Sequence, residues 1–176
     1  MSLHEQISAL IARRPDQHTQ AMADELGISE GALIRALPAE LVTVWPGEQA
    51  QALLAALPEW GPVTTIVESA GSIFEFKGSF PVGRNGHGYY NLGGESGLHG
   101  HLKLDDITHI ALLSKPFMRQ PSHAFVFITA SGRCAFKIYL GRDEARQLLP
   151  AQVERFTAWR GLNGLPTAEV ATVTEA

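Results

Sequence analysis

At Pro62 the hydrophobic period of this chain changes, and that change limits the folds open to it more than any single motif. Upstream, apolar residues recur every three to four positions, as on helices with one buried face. Downstream, seven segments alternate with a period of two: VTTIVESAG, SIFEFKGSF, GYYNL, GLHGHLKL, ITHIALLS, HAFVFITA and CAFKIYLG. Short stretches of Gly, Asp, Asn and Ser separate them, which reads as strands joined by turns. No gap between them is long enough for a crossover helix, so the strands must pair mainly antiparallel. The expected fold is α+β: a large, mainly antiparallel sheet with flanking helices and an N-terminal helical segment.

The helical parts have their own punctuation. Leu3, Ile7, Leu10 and Ile11 define a first helix that stops before Pro15. Met22, Leu26, Leu33, Ile34 and Leu37 continue at helical spacing, broken at Gly27, with Ser29 placed to cap the next helix. EQAQALLAALPEW is a further short helix. After the strands, RDEARQLLPAQVERFTAW returns to the helical period, with Pro150 expected to kink or split it. These readings give one domain over residues 1–162, with helices at 1–60, sheet at 61–141 and a C-terminal helix at 142–162. Residues 163–176 read as a frayed tail. A chain of 176 residues suffices for one such core.

Charge and composition exclude several functions. Fourteen basic against eighteen acidic residues give a net charge of −4, which argues against general nucleic-acid binding through phosphates. AMADELGISEGALIRAL has the outline of a helix-turn-helix, but Glu30 opens its second helix and Arg35 is that helix's sole cation. A lone cysteine, Cys134, excludes an intramolecular disulfide and a cysteine-based zinc site. The N-terminus lacks a secretory apolar region, and no apolar run approaches the ~20 residues of a membrane span. The expectation is a cytoplasmic protein without membrane insertion.

GLHGHLKLDDITHIALL holds three of the seven histidines. Alternation places His99, His101 and Lys103 on one face, and Leu98, Leu102 and Leu104 on the other. Asp105-Asp106 suits a two-residue hairpin turn, which would set His101 opposite Ile110 and Leu102 opposite His109. Upstream, GRNGHGYYNLGGESG carries six glycines in fifteen residues, together with His87, Tyr89 and Tyr90. Glycine lets backbone approach a ligand closely. Both His and Tyr ligate iron, and imidazole also suits zinc and copper. A His, Tyr and Gly-rich loop beside an apolar sheet face suits a flat, metal-bearing apolar ligand. Each residue also has a plainer structural reading. His99 and His101 fit solvated strand positions; His109 fits a satisfied core position; Tyr89 and Tyr90 fit core aromatics. His4, His18 and His123 read as surface, and Phe74, Phe76, Phe125, Phe127 and Phe136 as core. Gly93, His99, His101 and Asp105 also approximate the first half of a cupin metal motif, but the second half is missing.

Beyond these residue-level readings, EWGPVTTIV, HGYYNL, GHLK, THIAL, KPFM and FKIYLGRD, in that order over residues 59–153, resemble the intracellular heme carriers of bacterial heme uptake, the HutX/ChuX family. The resemblance implies a fold like one half of the larger heme-degrading proteins, a homodimer, and heme b (iron protoporphyrin IX) as cargo. It implies His101 of GHLK as the axial iron ligand. The family's second histidine falls where this chain has Glu68, so a second ligand would come from His99, His87 or a tyrosine. Lys103, Lys77 and Arg84 are candidate propionate partners through charge-assisted hydrogen bonds. The implied function is to accept heme after uptake and pass it on, with heme-delivering and heme-degrading proteins as partners. The competing expectations are a heme-degrading enzyme and a cupin-like metal protein. No Ser-His-Asp set, catalytic carboxylate pair or nucleotide fingerprint supports other enzymatic chemistry.

Overall fold

The computed structural model describes residues 1–167 and Glu169. Among them the chain forms the helices α1 (Leu3–Arg13), α2 (Thr19–Leu26), α3 (Glu30–Arg35), α4 (Ala50–Ala56) and α5 (Pro150–Arg160). The strands are β1 (Val42–Pro46), β2 (Pro62–Ser69), β3 (Ser72–Ser79), β4 (Val82–Gly86), β5 (Tyr89–Gly93), β6 (Gly100–Leu102), β7 (Ile107–Ser114), β8 (His123–Thr129) and β9 (Cys134–Leu140). Six strands make one sheet in the order β1-β7-β8-β9-β2-β3, and β4-β5-β6 make a second. All neighbouring strands run antiparallel, as the short connections require.

The large sheet is covered on both faces, which is why ITHIALLS and HAFVFITA read as nearly continuous apolar runs. On one face, Ala111, Leu113, Ala124, Val126 and Ile128 pack beneath α1, α2 and α3. On the other, Ile110, Leu112, Phe125, Phe127 and Ile138 join Leu53 and Leu54 of α4, Phe156 and Trp159 of α5, and Tyr90 and Leu92 of β5. Aromatic rings dominate this second core: Trp60 lies 4.9 Å from Trp159, and Phe125 lies 4.9 Å from Phe156, centroid to centroid. Burying each such ring contributes about 1.5–3 kcal/mol.

Local signals set the helix ends. Ser2 and Glu5 form a reciprocal capping box on α1. Gly27 ends α2 in the left-handed conformation, at φ 66°, and Ser29 accepts from Ala32 N–H to start α3. The helix α3 lies flat on the turn between β8 and β9. A Cβ at Gly31 would stand 2.5 Å from the Gly132 carbonyl oxygen. Lys137 on β9 reaches Glu30 at 2.5 Å, and Thr19 donates to the same carboxylate at 2.6 Å. The second helix of the apparent helix-turn-helix is thus spent on packing against the sheet.

Five expectations are corrected. Residues 42–46, within the segment read as helical, form β1, a β-branched and aromatic run too short to show a period. VGRNG forms β4 without apolar alternation, because its strand character comes from pairing with β5. Pro150 does not kink a helix over 142–162; it occupies the first turn of α5, where its missing N–H is harmless. Phe74 and Phe76 on β3 are exposed, at 53% and 39%, since β3 is the outermost strand of the sheet. Of the expected tail, residues 163–167 and Glu169 are described and are docked: Leu165 packs on the aromatic core and its N–H donates to Gln49 Oε1. Ala168 and residues 170–176 lie outside the described residues.

Candidate functional site

The expected hairpin between GLHGHLKL and ITHIALLS does not form. Asp105-Asp106 lacks the glycine of a two-residue turn, and Leu104–Asp106 instead makes one 3-10 turn. Both edges of β7 are already taken, by β1 and β8, so β6 has nowhere to pair on it. β6 pairs with β5, which sets His101 opposite Asn91 and Leu102 opposite Tyr90. His101 therefore does not face Ile110.

Alternation nevertheless sorts the side chains as expected. Leu98, Leu102 and Leu104 pack inward on the aromatic core, while His99, His101 and Lys103 are exposed. The same rule separates the adjacent tyrosines: Tyr89 is 42% exposed and Tyr90 is 3%. The Tyr90 ring lies against Gly83, where a Cβ would come within 2.3 Å of it, and burial pushes its phenol pKa up. Tyr90 is a core residue beneath the small sheet, turned away from its open face.

The outer face of the small sheet collects the remaining candidates. Gly86, His87, Gly88 and Tyr89 make the β4–β5 turn, with His87 at φ 54° and Gly88 at φ 83°, the pattern of a type I′ hairpin. His87 is exposed at its tip. Register aligns Arg84, Asn91 and His101 in one row across β4, β5 and β6. His101 Nδ1 lies 2.6 Å from Asn91 Oδ1. The Tyr89 ring meets the His101 imidazole edge-on at 5.9 Å, and Lys103 Nζ sits 5.2 Å above the Tyr89 ring. Imidazole, phenol ring, ammonium and guanidinium thus share one open surface that Leu98, Leu102 and Leu104 support from below.

Two candidates lie elsewhere. Glu68 follows Val67 on β2, and Val67 packs on the aromatic core, so Glu68 points to the opposite face of the large sheet, the one on which α1, α2 and α3 pack. Lys77 sits on β3, paired with Thr64, away from this row. Within one chain neither joins His101. His18 and His123, expected at the surface, are partly buried: His18 Nδ1 caps α2 by accepting from Gln20 N–H, and the His123 ring packs against Phe156 at 5.3 Å, tilted by 48°. Asn91 was not among the candidates. A polar amide on a short strand was its signal, since Asn is depleted in strands. Among the described residues no three His, Cys, Asp or Glu side chains converge on a point, so His99, His101 and Asp105 do not assemble a cupin-type metal centre.

The order of the motifs points to one protein family. The model of the haem utilisation ChuX/HutX family matches residues 43–159. The chain belongs to that family. An intracellular heme transport protein, HutX, of Vibrio cholerae serotype O1 is 56% identical over 158 residues, covering 89% of this chain and 82% of the relative. A crystal structure of a protein from Erwinia carotovora superposes with a TM-score of 0.84 at 38% identity, over 92% of this chain and 98% of its own. The structure of the heme-binding protein ChuX gives a TM-score of 0.81 at 36% identity, over 91% and 97%. This ChuX/HutX chain thus shares its fold with structurally defined relatives. No helix among the described residues is long and apolar enough to cross a membrane.

Proposed function

We propose that this chain is an intracellular heme carrier that accepts heme after uptake and passes it to a further protein. The observation that carries this reading is the outer face of β4, β5 and β6. His101 stands there beside an aromatic ring and two cations, open to solvent and backed by leucines. Heme b offers an apolar plate, an iron with free axial positions and two propionates. The imidazole of His101 matches the iron, Tyr89 and exposed Val82 match the plate, and Lys103 and Arg84 match the propionates. His99 and His87 are the candidates for the opposite axial position. Family membership and the Vibrio cholerae relative support the same reading. An exposed binding face favours transfer of the cargo over its retention. The working protein is a cytoplasmic homodimer, with heme-delivering and heme-degrading proteins as its exchange partners.

Titration of the purified protein with hemin tests this reading. A Soret band should grow and saturate at a single equivalent per chain. An unperturbed hemin spectrum at micromolar protein would overturn the proposal. Addition of ascorbate under air should leave the bound heme intact; conversion to an open-chain tetrapyrrole would replace the carrier with a heme-degrading enzyme.

A further inference from the structure

We infer that Asn91 is a positioning residue that fixes the tautomer of His101 and so decides which ring nitrogen is offered to iron; the inference rests on the proposed function. The Asn91 amide nitrogen donates to three backbone carbonyls, those of Arg84 and Gly86 at 3.1 Å and of Tyr89 at 3.4 Å. Carbonyl oxygens only accept, so the NH₂ group must occupy that side of the amide. The oxygen Oδ1 is therefore the atom that faces His101 Nδ1, at 2.6 Å. An amide oxygen also only accepts, and at that distance the proton must be on Nδ1. In the neutral ring, Nε2 is then left with its lone pair free, the form in which imidazole ligates a metal.

The chain of constraint starts in the backbone. The His87-Gly88 turn brings the Arg84, Gly86 and Tyr89 carbonyls around the amide, and the amide in turn orients the ring. Neither step needs the cargo to be present, so the ligand is organised before heme arrives. A partner that holds the other nitrogen of a ligating histidine commonly changes metal affinity by about 10–100-fold when removed.

Long-range ¹H–¹⁵N spectra of the cargo-free protein, labelled in histidine, read the tautomer directly at a pH where His101 is neutral. Wild type should show His101 protonated on Nδ1. Asn91→Ala, if folded by circular dichroism, should lose that preference and bind hemin about 10–100-fold more weakly. Asn91→Asp keeps an acceptor for Nδ1–H while losing the amide donors. It should retain the Nδ1–H form and bind more tightly than Asn91→Ala. A wild-type His101 protonated on Nε2 would overturn the inference, whether or not any variant folds. So would an unchanged tautomer in Asn91→Ala, or equal weakness of the Asp and Ala variants, which would make Asn91 a turn residue only. A wild type with the Nδ1–H form that leaves hemin unperturbed would instead sink the carrier reading and uphold the tautomer assignment.

Discussion

Replacing His101 by alanine removes the imidazole but keeps β6, its inward leucines and the neighbouring Tyr89, so binding should weaken without vanishing. A loss of about 1.5–3 kcal/mol, roughly ten- to a hundredfold in affinity, is expected. Hemin titration reads the affinity, and a Soret shift reports the change of axial ligand. Unchanged affinity and spectrum in His101→Ala, with both lost in His99→Ala or His87→Ala, would move the ligand to those residues. This outward set was legible in the sequence because strand alternation is local: it separated His99, His101 and Lys103 from the leucines without knowing any neighbour. What stood opposite His101 was not legible, because pairing across a sheet depends on which edges other strands have already occupied. A second residue-scale prediction concerns Glu30 and Lys137, at 6% and 3% exposure. Burial pushes the Glu30 carboxyl pKa up, but the Lys137 ammonium and the Thr19 hydroxyl outweigh it and hold it below the usual range. Glu30→Gln leaves an uncompensated buried ammonium and should destabilise the fold by about 3–5 kcal/mol, measured by urea unfolding. A loss below about 1 kcal/mol would show that the pair contributes little.

Helices and strands here are held by contacts that the chain's local pattern does not announce. The α2–α3 pair has the outline of a DNA-reading motif, yet Glu30, Gly31, Leu33 and Ile34, four of the six residues of α3, are buried, so most of the helix is spent on packing. Seven of the nine strands were legible from their apolar and β-branched runs between turn residues; β3 shows such a run although its side chains are exposed. β1 and β4 were not, because one is five residues between prolines and loop, and the other is rich in glycine. Helix α5 began later than its periodicity suggested, since Pro150 is compatible with a first turn and not with a continued interior. One pH effect belongs to this scale. Burial lowers the pKa of His18, which caps α2, and of His123, which packs against Phe156 of α5; nearby cations reinforce the shift in each. On acidification the unfolded chain therefore takes up these protons before the folded one. Their contribution to stability is present above the ordinary histidine pKa of about 6.5 and is lost as pH falls toward the lowered folded values. Thermal midpoints should decline between about pH 7 and pH 5, and His123→Gln should flatten the decline. A midpoint that rises on acidification through this range would contradict the assignment.

At the scale of the whole molecule, the two edges of the large sheet are treated differently. The β1 edge is covered by the end of α5 and the segment after it: Thr43 Oγ1 donates to the Arg160 carbonyl, and Trp45 Nε1 donates to the Leu162 carbonyl. At the other edge, β3 has β2 on one side and, among the described residues, no strand on the other. Its side chains include Ile73, Phe74 and Phe76, exposed at 63%, 53% and 39%. An unpaired strand with apolar side chains is a template for another chain, and Glu75 and Lys77 are the charges set against indiscriminate pairing. A second copy would cover this apolar edge, which supports the homodimer proposed above. Light scattering at micromolar concentration should give twice the 19.1 kDa chain mass. The double substitution Ile73→Lys and Phe74→Lys places two further cations on β3 without touching a buried residue. It should yield a folded monomer with the same helix and strand content by circular dichroism. A wild type that scatters as 19.1 kDa would remove the dimer. A double variant that stays dimeric would move its interface away from β3, to another exposed surface such as the outer face of β4, β5 and β6. In that case hemin binding and association would compete for His101 and Tyr89, and hemin would shift the protein toward monomer.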